Sequence, residues 1–198
     1  MNETIWTDNV IIADAEFIDK VAFDLTVNFE RMLERQIPQA DITKWVEYVA
    51  LDGGLRQGEH QTTVILIHDQ QQVEMKNFQP GIFDKLNGQA FNGNLGEFCF
   101  NTPSTEAIVS KDDLFIDTVQ TMLQQQEVKR LMLIPCNYIY NNVREVIRKA
   151  DMQADFSNKH ITLFAMQPMP GGHFNQEILG YSLMAALGIR GDELTCKQ

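Results

Sequence analysis

Four carboxylates stand at spacings that could gather around a divalent cation. In NVIIADAEFIDK an apolar run stops at Asp14, and Glu16 follows two positions later; in SKDDLFID, Asp113 and Asp117 lie four residues apart. Clustered carboxylate oxygens are what a hard ion such as Mg²⁺ requires, and an ion so held activates water for phosphodiester hydrolysis. Each acid also has a plain structural use. Asp14 is a good helix N-cap, and Glu16 would fall in the first turn, where the helix dipole favours a negative charge by ~0.3–1 kcal/mol. If capping is its whole role, Asp14→Asn is nearly neutral, because asparagine caps about as well. Asp113 completes a capping box begun by Ser110. Asp117 shares a helix face with Asp113, an arrangement that costs a few tenths of a kcal/mol unless a cation or solvent relieves it.

Cys136 and Asn137, in IPCNYIYNN, follow another apolar run and are the second group of candidates. A thiol beside a helix N-terminus is acidified and can act as a nucleophile, whereas an unpaired cysteine in apolar surroundings is a small inert core residue. No histidine can be placed beside Cys136. His60, His68, His160 and His173 are scattered without HxH or HxxxH spacing, so no zinc site is expected. The glycines of PGGHF form neither GxGxxG nor a P-loop.

These residues need elements to position them. Val10 to Ala13, Val64 to Ile67, Leu131 to Ile134 and Ile161 to Ala165 are short apolar runs without polar alternation, the pattern of parallel strands covered on both faces. Between the first two, Ile18, Val21, Ala22, Leu25, Phe29 and Met32 recur at helical spacing, giving a helix over 17–35 with that stripe on the sheet. A short helix is expected over 41–48, an edge strand in NLGEFCFN, a helix entered through SKDD, and another carrying Val143, Val146, Ile147 and Ala150. A last helix presents Ile178, Tyr181, Ala185 and Leu187, and Gly188 stops it in the left-handed region. The pattern predicts a single α/β domain over 1–198, a three-layer sandwich with a mainly parallel, Rossmann-like central sheet. Ligands of such sheets sit beyond the carboxyl ends of the strands, where Asp14, Glu16, Cys136 and Asn137 fall; His68, Asp69 and the PMPGG loop join them there.

Composition narrows the function. At 44% hydrophobic and 22% charged residues, the 198-residue chain can bury a core without disulfides or metal. Cys99, Cys136 and Cys196 are odd in number and unpaired in spacing, so reduced thiols are expected. The start MNETIWTDN lacks the features of a signal peptide, and no apolar run approaches the ~18 residues of a span, so a cytoplasmic protein without a membrane partner is expected. A formal charge of −11 disfavours nucleic acid except at a local patch, for which Lys111, Arg144, Arg148 and Lys149 are the available cations. Gly180, Ala185 and Ala186 would permit a homo-oligomer packed through the last helix.

The order of elements resembles the NYN and PIN-like nuclease domains, in which an aspartate ends the first strand, an acidic helix precedes the third, and a further acidic cluster follows that strand. VIIAD matches the first feature in Asp14, and KDDLFID the second in Asp113 and Asp117; the likeness runs from Val10 to Ala165. It implies Mg²⁺ as cofactor, held at Asp14 and Asp117 as the catalytic carboxylates, with Glu16, Asp113, Cys136 and Asn137 at the binding site. IPCNYIYNN departs from the pattern, placing Cys136, Asn137 and Tyr138 where the third acidic cluster would stand. DAEF also lacks the glycine and asparagine that follow the family's aspartate. A second resemblance covers nearly the whole chain. VIIADAEFIDKVAFDLTVNFERMLERQIPQAD, NLGEF and FNQEILGYSLMAALGIRGDEL are similar to proteins of unassigned activity from Bacteroides-type gut bacteria, which implies a bacterial protein and supplies no catalytic residues. Two functions stay open: a non-catalytic PIN/NYN-like binding or interaction domain, and a weak Mg²⁺-dependent phosphodiesterase or ribonuclease using Asp14, Glu16, Asp113 and Asp117.

Overall fold

Asn9–Asp14 forms strand β1, every residue of which is buried. Its neighbours explain this: in the computed structural model, which describes residues 6–153 and 158–195, β1 lies at the middle of a seven-stranded sheet. It pairs in parallel with β3 (His60–Ile67) on one side and β7 (Arg130–Ile134) on the other. Outward from β3 come β6 (Gly96–Asn101) and β5 (Ala90–Gly93); outward from β7 come β8 (His160–Ala165) and β9 (Asn175–Ile178). All neighbours run parallel except β5, which is antiparallel to β6. NLGEFCFN is therefore covered rather than an edge. The AFNG strand beside it is too short for a sequence pattern to reveal.

Alternation along the strands divides the core in two. Ile11, Ala13, Val64, Leu66, Met132, Ile134 and Phe164 face one helical layer. It is built from α1 (Ala15–Leu33), α2 (Ile42–Asp52) and α6 (Leu179–Ala186). Val10, Ile12, Ile65, Ile67, Leu131, Leu133 and Leu163 face the other, built from α4 (Lys111–Gln124) and α5 (Tyr140–Gln153). The result is the expected three-layer sandwich. A two-stranded parallel pair, β2 (Ala40–Asp41) with β4 (Phe78–Gln79), a one-turn α3 (Phe83–Leu86) and a short α7 (Gly191–Thr195) complete it. No helix among the described residues is long and apolar enough to cross a membrane.

Two amphipathic faces differ from the sequence expectation. On α1 the stripe is buried at Ile18, Val21 and Ala22, half-buried at Leu25 and Phe29, and exposed at Met32, so only the first half of the helix is fully covered. On α6 the buried residues are Leu179, Gly180, Ser182, Leu183 and Ala186, while Tyr181 points outward. That helix is apolar nearly all round, and periodicity cannot choose a face for it. Gly180 and Ala186 are thus covered by this chain's own core rather than offered to a second copy. Gly188 does stop the helix, at φ +71°. Cys196 lies outside the described residues.

Candidate functional site

The chain leaves β1 toward β3 on one side and later crosses to β7 on the other, so the carboxyl end of β1 is the point where the winding reverses. Doubly wound sheets have their ligand-binding crevice at such a point. Asp14 ends β1 and caps α1: its Oδ1 accepts the Phe17 backbone N–H at 3.0 Å. Glu16, in the first turn, accepts the Asp69 N–H at 2.8 Å through Oε1 and so fastens the loop that follows β3.

Into this pair comes Lys111, the first residue of α4. Its ammonium lies 2.9 Å from Asp14 Oδ1 and 3.1 Å from Glu16 Oε2. The Asp14 side chain is 2% exposed and that of Lys111 15%, so the pair is poorly screened by water. Burial works against the charge on Lys111, but the field and hydrogen bonds of Asp14 and Glu16 outweigh it and raise its pKa. Asp112, next along the helix, turns toward the same place. Burial and then the nearby Asp14 and Asp113 push its carboxyl up, against the opposing pull of Lys111 and Tyr138.

From the other side of β1, the segment after β7 supplies Cys136, Asn137 and Tyr138. Cys136 is buried, with Sγ 4.0 Å from Asp112 Oδ1. Burial chiefly raises its pKa, against the opposing hydrogen bond of Tyr138 and with the nearby Asp14 and Asp112 adding to the rise, the reverse of what activates a nucleophilic thiol. Asn137 is exposed and opens a 3-10 turn. Tyr138 is exposed, and interaction with Cys136, followed by partial desolvation, pushes its phenol up to about 12.

Of the acids singled out from the sequence, Asp14 and Glu16 meet through Lys111, whereas Asp113 and Asp117 point elsewhere. Asp113 is exposed and engaged in the cap: Ser110 Oγ accepts its N–H at 3.1 Å and donates to its carboxylate at 2.7 Å. Asp117 is exposed, and five residues beyond Asp112 it lies well over a third of a turn around the helix. Among the described residues, the group whose potential ligand atoms fall within 4.8 Å of one another is Asp14, Asp112 and Cys136. Asp112 could have been chosen from the sequence. Lys111 and Asp112 precede the buried Phe115 by four and three residues, which places them on the inward face of α4, while Asp113 and Asp117 share an outward one.

His68 is buried at the end of β3, stacked on Phe83 with ring centroids 3.9 Å apart, and its backbone bonds to Pro103 and Thr105. It locks the loop after β6 in place. Arg144 donates to the Gly171 carbonyl and Arg148 to Glu145, so these two cations are also engaged. Lys149 belongs to the opposite end of the sheet. It lines a cleft of about 760 Å³ between the C-terminal ends of α4 and α5, where Lys159 is bonded to the carbonyls of Gln125 and Val128.

The Mg²⁺ implied by the nuclease likeness does not fit these side chains. Such an ion needs oxygen ligands at ~2.1 Å, and the Lys111 ammonium already occupies Asp14, the carboxylate that any such set would share, while the group that converges on it offers one further carboxylate, Asp112, and a thiol. The segment after β7 adds a thiol, an amide and a phenol in place of further carboxylates.

Over residues 3–194 the chain matches a family of unknown function (DUF6621), and it belongs to that family. No curated protein and no solved structure matches it.

Proposed function

We propose that this chain is a non-catalytic PIN/NYN-like binding domain of the bacterial cytoplasm, in which Lys111 stands where a nuclease would carry its metal. The observation that carries the reading is the placement of the Lys111 ammonium, 2.9 Å from Asp14 and 3.1 Å from Glu16. A positive charge supplied by the protein relieves the repulsion between neighbouring carboxylates, and it also opposes a second cation at the same spot. The order β6-β3-β1-β7-β8 and the helices on both faces of the sheet are compatible with the family's topology. Substitution of the third acidic cluster by Cys136, Asn137 and Tyr138 supports the same conclusion.

The alternative, a Mg²⁺-dependent phosphodiesterase, has one observation in its favour: Asp14 and Asp112 place potential ligand atoms within 4.8 Å of each other. The two readings separate in a cleavage assay. Single-stranded RNA incubated with the protein and several millimolar Mn²⁺ or Mg²⁺ is expected to stay intact, at the same background as an Asp14→Asn, Asp112→Asn double variant. Metal-dependent cleavage that vanishes in the double variant would establish the enzyme instead.

A further inference from the structure

The cleft of about 760 Å³ between the C-terminal ends of α4 and α5 lies within the ~300–1,000 Å³ typical of small-molecule sites. Helical spacing builds its walls: Gln120, Leu123 and Gln124 share a face of α4, and Val146, Lys149, Ala150 and Gln153 one of α5. The buried Leu123 and Val128, with the half-buried Val146 and Ala150, make its apolar floor. Among the described residues the lining holds three ammonium groups, Lys129, Lys149 and Lys159, and no carboxylate. Glu127 lies close enough to act on Lys159 but is not part of the lining. A chain with a charge of −11 is thus locally positive here. Lys159 donates to the carbonyls of Gln125 and Val128 at 2.5 and 2.6 Å, and Lys129 to that of Gln126 at 2.9 Å, so both cap the end of α4. Capping does not exhaust them. An ammonium has three donors, which leaves one on Lys159 and two on Lys129. Burial first, and then the field of Lys129, lower the pKa of Lys159, with Glu127 opposing: two cations crowd this end of the cleft, and an anion beside them relieves their repulsion.

We propose that this cleft binds a small phosphate monoester with a partly apolar body, at a site separate from the crevice and at the opposite end of the sheet. Lys129 and Lys159 hold the phosphate, and Lys149 faces them from α5. Two adjacent cations match a group that carries close to two negative charges at neutral pH better than they match a single carboxylate. All three are lysines, point charges suited to phosphate, rather than the planar arginine fork that fits a carboxylate. The body of the ester lies on Leu123, Val128, Val146 and Ala150, and the amides of Gln120, Gln124 and Gln153 can donate to or accept from its polar groups. A polyanion such as RNA would extend beyond the lysines onto the acidic remainder of the surface.

The test is isothermal titration calorimetry at pH 7.5 with four probes: phenyl phosphate, inorganic phosphate, benzoate and phenol. Phenyl phosphate should bind about tenfold or more tighter than each of the others, since it alone engages both the lysines and the floor. A combined Lys129→Gln, Lys149→Gln variant should weaken its binding about tenfold or more, while Lys20→Gln, a surface lysine of α1 paired with Asp24, should leave it unchanged. Lys129, Lys149 and Lys20 are all exposed, and melting temperatures verify that the variants fold. The proposal is overturned by no binding of phenyl phosphate at several millimolar, or by any of the other three probes binding as tightly. It is equally overturned by a folded double variant that binds like the wild type, by equal weakening in Lys20→Gln, or by a single-stranded RNA that displaces phenyl phosphate.

Discussion

Asp14 uses one carboxylate oxygen for two partners, the Phe17 N–H and the Lys111 ammonium. Asparagine could still cap α1, but it would leave the half-buried lysine with Glu16 as its ionic partner. Asp14→Asn is therefore expected to cost about 1–3 kcal/mol rather than to be neutral, measured as a shift in urea midpoint at pH 7. An unchanged midpoint would mean that the cap is all Asp14 does. Asp52, the last residue of α2, carries a different burden. Desolvation and the neighbouring Glu177 push its carboxyl up to about 6. Because the folded state holds this proton more tightly than the unfolded chain, stability is lost as pH rises from about 4 through 6. Asp52→Asn should raise stability at pH 7.5 and not at pH 4, by less than about 1 kcal/mol given how exposed the side chain is. A gain of equal size at both pH values would contradict that origin.

At the scale of elements, the first turn of α4 organises the crevice, since Ser110 caps it and Lys111 and Asp112 leave it toward β1. Ser110→Ala should cost about 0.5–2 kcal/mol by thermal denaturation. Helix α1 is anchored at its start, so Ile18→Ala, in a fully buried position, is expected to cost about 2–5 kcal/mol and Leu25→Ala less than half as much. Equal losses would place Leu25 deeper than the structure does. The four central strands were legible because parallel strands buried on both faces leave continuous apolar runs. The inward turn of Lys111 and Asp112 is written in their spacing from Phe115, whereas the like-charged pair Asp113 and Asp117, the more conspicuous pattern in the sequence, marks the solvent face. Strands β2, β4, β5 and β9 were not legible, being two to four residues long and lacking a period. The outward face of α6 was hidden by its uniform apolarity.

For the molecule as a whole, a charge of −11 and a crevice whose lysine is already paired with two carboxylates argue in the same direction. The winding of the sheet brings β1, α4 and the segment after β7 to one place, as an active site would require, yet the chain fills the central position with its own ammonium. That is the claim to test first, by thermal denaturation of the wild type, Lys111→Met and Asp14→Asn with and without several millimolar Mn²⁺. Lys111→Met should be destabilised by about 3–5 kcal/mol, because the buried Asp14 loses its ionic partner. The wild type should show no Mn²⁺-dependent rise, since an ion bound only to the folded state at ~100 times its dissociation constant would add about 2.7 kcal/mol and be plainly visible. A Mn²⁺-dependent rise in the wild type that disappears in Asp14→Asn would contradict the account and return the crevice to metal chemistry.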